Sequence, residues 1–275
     1  MSKEINIEGS YKAFDETDLY FKKDIPKDPK AIVVIVHGLA EHLGRYDYVA
    51  KEFNDFGYGV YRFDNRGHGK SGGEKGYIDN FTYFFDDADL VVNEAKKDYP
   101  NLPIFMLGHS MGGFIAAGYG VKYPNKLRGQ ILSGAALTLL PTFEDLKNAE
   151  FDKYPRVKVP NALSAIICRD KAVVEDYNND PLVLKETNQK LLGETFVKGP
   201  EWLEKNVKKY TYPCLILHGD DDRIVTMDAS KWFYEEINSS DKEIKLYKDF
   251  FHEILNEKEK DIVIKDIKEW IDKRI

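Results

Sequence analysis

Ser110 stands between two glycines in Gly108-His109-Ser110-Met111-Gly112, the pattern G-x-S-x-G. A serine hydroxyl attacks a carbonyl only when a base takes its proton, and a histidine serves best when a carboxylate holds its tautomer. The chemistry in question is nucleophilic acyl transfer, for which the chain must bring a histidine and an acid from elsewhere. A chain of this length shows the pattern by accident roughly one time in ten at ordinary glycine and serine usage, so the setting decides its meaning. Here it follows the apolar run Ile104 to Leu107 and precedes the helical stretch Phe114 to Tyr123. A sharp strand-to-helix turn lifts a serine above a sheet, and flanking glycines relieve the crowding of that turn. The competing reading makes Ser110 a helix N-cap; the context on both sides favours the nucleophile.

Where serine sits on such a turn, the chain order is serine, acid, histidine. Of the six histidines only His218 and His252 follow Ser110, and His218 lies within or at the end of a strand, Cys214 to His218. That leaves His252, in the loop after the strand Ile244 to Tyr247. A histidine beside Phe250 and Phe251 would ordinarily be a packing residue, but order and position favour the base. The acid lies in Gly219-Asp220-Asp221-Asp222-Arg223-Ile224-Val225, where the residues alone leave three aspartates open; two of them read as a solvated turn. His68 and His109 read as a loop histidine and a packing residue. The glycine-rich loop Asp64 to Ser71 lacks the P-loop lysine spacing and is not G-x-G-x-x-G, so no nucleotide is implied.

The elements that must hold these residues recur as strand and helix. Ala31 to Val36 is a β-branched run suited to a strand buried on both faces. A helical stretch from Arg45 to Phe56, a strand Val60 to Phe63, a helix before Tyr99 and the strand Ile104 to Leu107 follow, then strands at Leu127 to Leu132, Cys214 to His218 and Ile244 to Tyr247. This alternation predicts an α/β, mostly parallel, doubly wound sheet. Ahead of it, Tyr11 to Phe14 and Leu19 to Phe21 flank the acidic turn Asp15 to Asp18 and predict an N-terminal hairpin. Ile264, Ile267, Trp270 and Ile271 lie at helical spacing and read as core packing. Between Leu137 and about Tyr210 the alternation fails; the pattern is helical but broken by Pro141, Pro155, Pro160, Pro181 and Pro200. The division expected is a core of residues 1–136 and 211–275 with an inserted helical cap, 137–210.

Composition narrows the partners. With 43% hydrophobic and 32% charged residues, disorder is excluded. A net charge of -7 without a lysine and arginine block gives no reason to bind nucleic acid. Cys168 and Cys214 lack metal-ligand spacing, which predicts two reduced thiols, no disulfide and no metal. The charged N-terminus and the want of any run of roughly 20 apolar residues predict no signal, no integral membrane span and a cytoplasmic address.

His37-Gly38-Leu39-Ala40-Glu41-His42 with Arg45-Tyr46 resembles the H-G-x-x-E-H-x-x-R-Y segment of the monoacylglycerol lipase and lysophospholipase family. Asp64-Asn65-Arg66-Gly67-His68-Gly69-Lys70-Ser71, Gly108-His109-Ser110-Met111-Gly112-Gly113 and Tyr177-Asn178-Asn179-Asp180-Pro181-Leu182 resemble three more of its segments. With the acid and histidine loops the matches run, in order, from about residue 31 to about residue 255. The resemblance implies the α/β-hydrolase fold and a serine esterase needing no cofactor. Its acid is the fourth residue of G-x-x-D-x-x-V, which selects Asp222, with Asp221 in reserve. It also implies an oxyanion hole from the backbone N–H groups of Leu39 and Met111, and a head-group pocket at Glu41, Arg45 and Tyr177. Glu41 and Arg45 read equally as an ion pair at a surface helix start. Mammalian members carry a further histidine three residues after the catalytic one, where this chain has Leu255, so glycerol recognition is in question. Thr142 to Leu163 is short and charged, which predicts at most weak membrane contact through the cap. The expected substrate is a small lipid or ester with one acyl chain. An amidase or iminopeptidase with the same triad is the alternative chemistry, and a catalytically silent binding module, which predicts a broken triad, is the alternative of another class. Residue patterns leave the oligomeric state open.

Overall fold

The computed structural model describes residues 5–275; residues 1–4, part of the charged N-terminus, lie outside the described residues. Two antiparallel strands open the chain, β1 (Ile5–Lys12) and β2 (Asp18–Ile25). The expected hairpin is therefore present but longer, and Ala13 and Phe14 belong to its turn, where Ala13 N–H donates to Thr17 O at 2.9 Å. β3 (Ala31–Val36), α1 (Asp47–Asp55), β4 (Tyr58–Phe63), α2 (Thr82–Asp98), β5 (Ile104–His109), α3 (Met111–Lys122) and β6 (Gly129–Ser133) follow. After an excursion come β7 (Lys158–Pro160), α4 (Lys171–Asn179), β8 (Glu186–Asn188), α5 (Gln189–Gly193) and α6 (Gly199–Asn206). The chain then returns as β9 (Cys214–Gly219), α7 (Met227–Glu236), β10 (Lys242–Tyr247) and α8 (Lys260–Asp272). The eight-stranded sheet runs β1-β2-β4-β3-β5-β6-β9-β10, antiparallel only at β1-β2 and β2-β4.

Alternation along the central strands divides the core in two. Ile32, Val34 and Val36 of β3 and Met106 of β5 face one apolar layer with α2 and α3, whereas Val33, Ile35 and Leu107 face the other with α1 and α8. The apolar stripe of α8, with Ile264, Ile267, Trp270 and Ile271, packs into that second layer. Both faces of the sheet are thus covered, which is why its strands read as continuous apolar runs.

Residues 137–210 are not a simple helical insert. Pro141 starts a 3-10 helix, Pro141–Asn148, and β7 pairs antiparallel with β8 in a small second sheet. The prolines sit where no amide donor is needed: Pro141 and Pro200 in first helical turns, Pro160 at the end of β7. A periodicity search misses a two-stranded ribbon because each strand has only three residues.

The close crossing of β5, α3 and β3 explains the glycines around Ser110. A Cβ on Gly112 would overlap the backbone carbonyls of Val36 and His37, and one on Gly108 would overlap that of Gly112. Backbone cannot swing aside as a side-chain tip can. Gly112→Ala is expected to destabilise the protein by about 1–3 kcal/mol, read as a melting temperature several degrees below wild type; an unchanged melting temperature would contradict this packing.

Candidate active site

Ser110 is the single residue between the end of β5 and the first residue of α3. Its backbone lies at φ 54° and ψ -118°, a conformation that costs a residue with a side chain about 1–3 kcal/mol. Surrounding bonds hold it there: Ser110 N–H donates to Ser133 O at 2.9 Å, and Ser110 O accepts from Phe114 N and Ala136 N, each at 3.1 Å. The side chain makes no capping hydrogen bond to α3, so its hydroxyl is not spent on the helix.

The acid and the histidine reach the same edge of the sheet from β9 and β10. Asp222 Oδ2 accepts from His252 Nδ1 at 2.7 Å, while Oδ1 accepts from the amides of Ile224 at 2.9 Å and Val225 at 3.0 Å. With Nδ1 committed, Nε2 is the nitrogen left to take a proton. Burial sorts the three aspartates. Asp220 is exposed and accepts from Asp249 N, Asp221 pairs with Arg223 at 2.7 Å, and Asp222 is buried. Burial pushes the His252 pKa down, but the Asp222 carboxylate outweighs it, with Glu253 and Glu41 adding, and the net shift is upward. Burial alone would raise Asp222; its two histidine partners, His252 first, bring it well below the usual carboxylate range.

Met111 N–H is the first amide of α3, one of those a helix leaves without an internal acceptor. Leu39 lies on the turn after β3, and that turn is braced. Glu41 Oε1 accepts from Gly38 N at 2.5 Å and Tyr46 OH at 2.7 Å, and Glu41 Oε2 accepts from Arg45 at 2.8 Å. Gly38 lies against Ser110: a Cβ placed on it would be 3.2 Å from Ser110 Cβ. His37 ties the turn to the Asp64 to Ser71 loop, accepting from Asn65 N–H at 2.8 Å. That loop is structural here, Asp64 accepting from Leu43 N and Lys70 N at 2.7 Å.

Against known proteins, the family model described as serine aminopeptidase, S33, matches residues 27–259. A monoacylglycerol lipase of Mycolicibacterium smegmatis is 34% identical over 248 residues, 89% of each chain. A phospholipase of Bacillus subtilis, YtpA, is 30% identical, covering 90% of this chain and 97% of the relative. The crystal structure of a Paleococcus ferrophilus monoacylglycerol lipase superposes with a TM-score of 0.84 at 30% identity, over 94% of this chain and 99% of the other. The chain belongs to this family of α/β-hydrolases. It is a carboxylic ester hydrolase of the monoacylglycerol lipase type.

The hydrolase buries the remaining residues of interest close by. The Glu41–Arg45 pair does not lie at a surface, as a helix-start pair would: the two side chains are 4% and 10% exposed. Arg45 is held further by Glu253, with its two terminal nitrogens at 2.5 and 2.7 Å, and lies 4.8 Å from the Tyr177 ring centre. Burial raises Glu41 while Arg45 and nearby histidines lower it, to about 2. Tyr177 OH accepts from Asn161 Nδ2 at 2.7 Å. The His109 ring lies 4.7 Å from that of His252, and burial brings its pKa down to about 4. No described helix is long and apolar enough to cross a membrane.

Two acids escaped the sequence reading. Glu253 is one; the other is Glu257, fully buried, whose carboxylate accepts from Phe251 N at 3.0 Å, Arg169 N at 3.2 Å and Arg169 Nε at 3.0 Å. Together with the bond from Glu253 N to Ile167 O at 2.8 Å, it stitches the His252 loop to residues 167–169. Their one sequence signal is a pair of carboxylates close after the histidine.

Proposed function

We propose that Ser110, His252 and Asp222 are the catalytic triad of this hydrolase, that the Leu39 and Met111 amides form its oxyanion hole, and that residues 137–210 cap the site. The substrate is an ester of one acyl chain, a monoacylglycerol or lysophospholipid. The observation that carries this reading is a cavity of about 310 Å³ walled by Leu39, Phe143, Leu146, Val159, Leu163 and Leu192. An apolar space that begins at an oxyanion residue and runs under the cap suits an acyl chain whose carbonyl lies at Ser110.

Ser110 attacks the carbonyl as His252 Nε2 takes the hydroxyl proton, and the imidazolium then protonates the departing alcohol. Water, deprotonated by the same nitrogen, releases the acid. Glu41, Arg45 and Tyr177 form the head-group side. Arg45 already answers two carboxylates, and Leu255 offers no hydrogen bond, so of the two the uncharged alcohol of a monoacylglycerol suits this side better than a phosphate-bearing one. A cytoplasmic address is consistent with the buried, unpaired Cys168 and Cys214.

The description of the family model raises a second reading, release of an amino-terminal residue. It would need a carboxylate free to receive an ammonium group, whereas Glu41 and Glu253 are both occupied by Arg45. Hydrolysis of p-nitrophenyl esters from acetate to palmitate, of 1-monoacylglycerols and of amino-acid amides separates the readings. Turnover is expected on the esters with an optimum at medium acyl length, and activity confined to amides would overturn the proposal.

A further inference from the structure

His218, which sequence order sets aside as a strand residue, stands on the far side of Asp222 from His252. Its Nε2 is 3.1 Å from Asp222 Oδ2, the same oxygen that His252 contacts, and 2.8 Å from Val225 O. Both neighbours are acceptors, so Nε2 carries the ring's proton. Its Nδ1 lies 2.7 Å from Ser230 Oγ on α7, and a hydroxyl donating there holds that tautomer. Ser230, His218 and Asp222 are the same three residue types as a triad, yet Ser230 and His218 have no solvent exposure. No substrate reaches that serine, so it is not a second active centre.

We propose that His218 is a positioning residue of the hydrolytic reaction and Ser230 its tautomer lock, so that the working string runs from Ser230 through His218, Asp222 and His252 to Ser110. This rests on the triad reading. Asp222 receives four donors, the amides of Ile224 and Val225 and the two imidazoles. The His218 donor fixes the carboxylate plane for His252 and draws charge from Oδ2, which tempers the pull of Asp222 on the catalytic imidazole. The charged and titratable groups facing His252 are Asp222, Glu253, Glu41 and His109; His218 acts on it only through the first.

Three variants test this on the full chain with a p-nitrophenyl ester: Ser230→Ala, His218→Gln and His218→Leu. Ser230→Ala removes one buried hydroxyl distant from substrate and leaves His218 Nδ1 without its partner, so the ring is no longer held in line and its donation to Asp222 Oδ2 weakens. It is expected to lower kcat about 3- to 10-fold with KM within about twofold, and His218→Leu to lower it by tenfold or more, in line with a lost hydrogen bond to a charged group. In both, the acid limb of kcat/KM moves to higher pH, because an Asp222 that loses part or all of the His218 donation raises the basicity of His252. His218→Gln, whose amide can donate from nearly the same place, recovers much of the loss. If folded Ser230→Ala and His218→Leu match wild type in kcat and pH profile, or if kcat falls with no movement of the acid limb, the proposal is overturned. Should His218→Leu not fold, Ser230→Ala decides alone. An active Ser110→Ala would defeat the triad itself; an inactive Ser110→Ala beside a Ser230→Ala equal to wild type defeats only this inference.

Discussion

Ser110→Ala is expected to lower kcat on every ester by about 10⁴- to 10⁶-fold while leaving the melting temperature within a few degrees of wild type. The size follows from the loss of the covalent route; what persists is binding and oxyanion stabilisation. Stability should not fall, since the hydroxyl does not cap α3 and the strain at φ 54° remains with alanine. Steady-state kinetics, with a fluorophosphonate probe read for labelling in parallel, check it. A variant that still labels at the wild-type rate would mean that another nucleophile is at work.

Asp222→Asn carries the next largest effect, about 10⁴-fold in kcat, because an amide in place of the carboxylate favours the wrong imidazole tautomer. Asp221→Asn is its control. Asp221 is partly exposed and paired only to Arg223, so its loss should change kcat less than about twofold. The pair of variants decides among adjacent aspartates that motif alignment separates only by position. The pH profile adds a sign. Catalysis needs His252 neutral, and its pKa is raised above 6.5 by Asp222 against the downward push of burial. The acid limb of kcat/KM should therefore lie above pH 6.5 in wild type and move downward in Asp222→Asn, where the remaining activity allows it to be followed. An upward movement would show that Asp222 does not set the basicity of His252.

Much of the architecture was legible because it rests on local signals. The β-branched run at Ala31 to Val36 suits a doubly covered strand, and it is one. The hairpin and the core helices were found with ends a few residues off, since end positions depend on the bonds made there. Within 137–210 the helices α4, α5 and α6 are present, but the β7–β8 ribbon among them has no sequence signal: three-residue strands carry no periodicity, and their pairing reaches across 30 residues.

By itself the chain's order of residues pointed to the strand-to-helix setting of Ser110, to a serine, acid, histidine succession and, through the resemblance, to Asp222 among three neighbours. These are properties of short segments, where residue type and spacing dictate backbone geometry. Only the tertiary structure decided what each buried polar group answers to: that Glu41 braces the turn bearing Leu39, that Glu253 and Glu41 share Arg45, and that Asp222 serves two histidines. A hydrogen bond forms between atoms a few ångströms apart, and in a wound sheet those atoms belong to residues far apart in the chain, as Arg45 and Glu253 are at 208 positions. Their pairing is set by packing, and no local pattern records it.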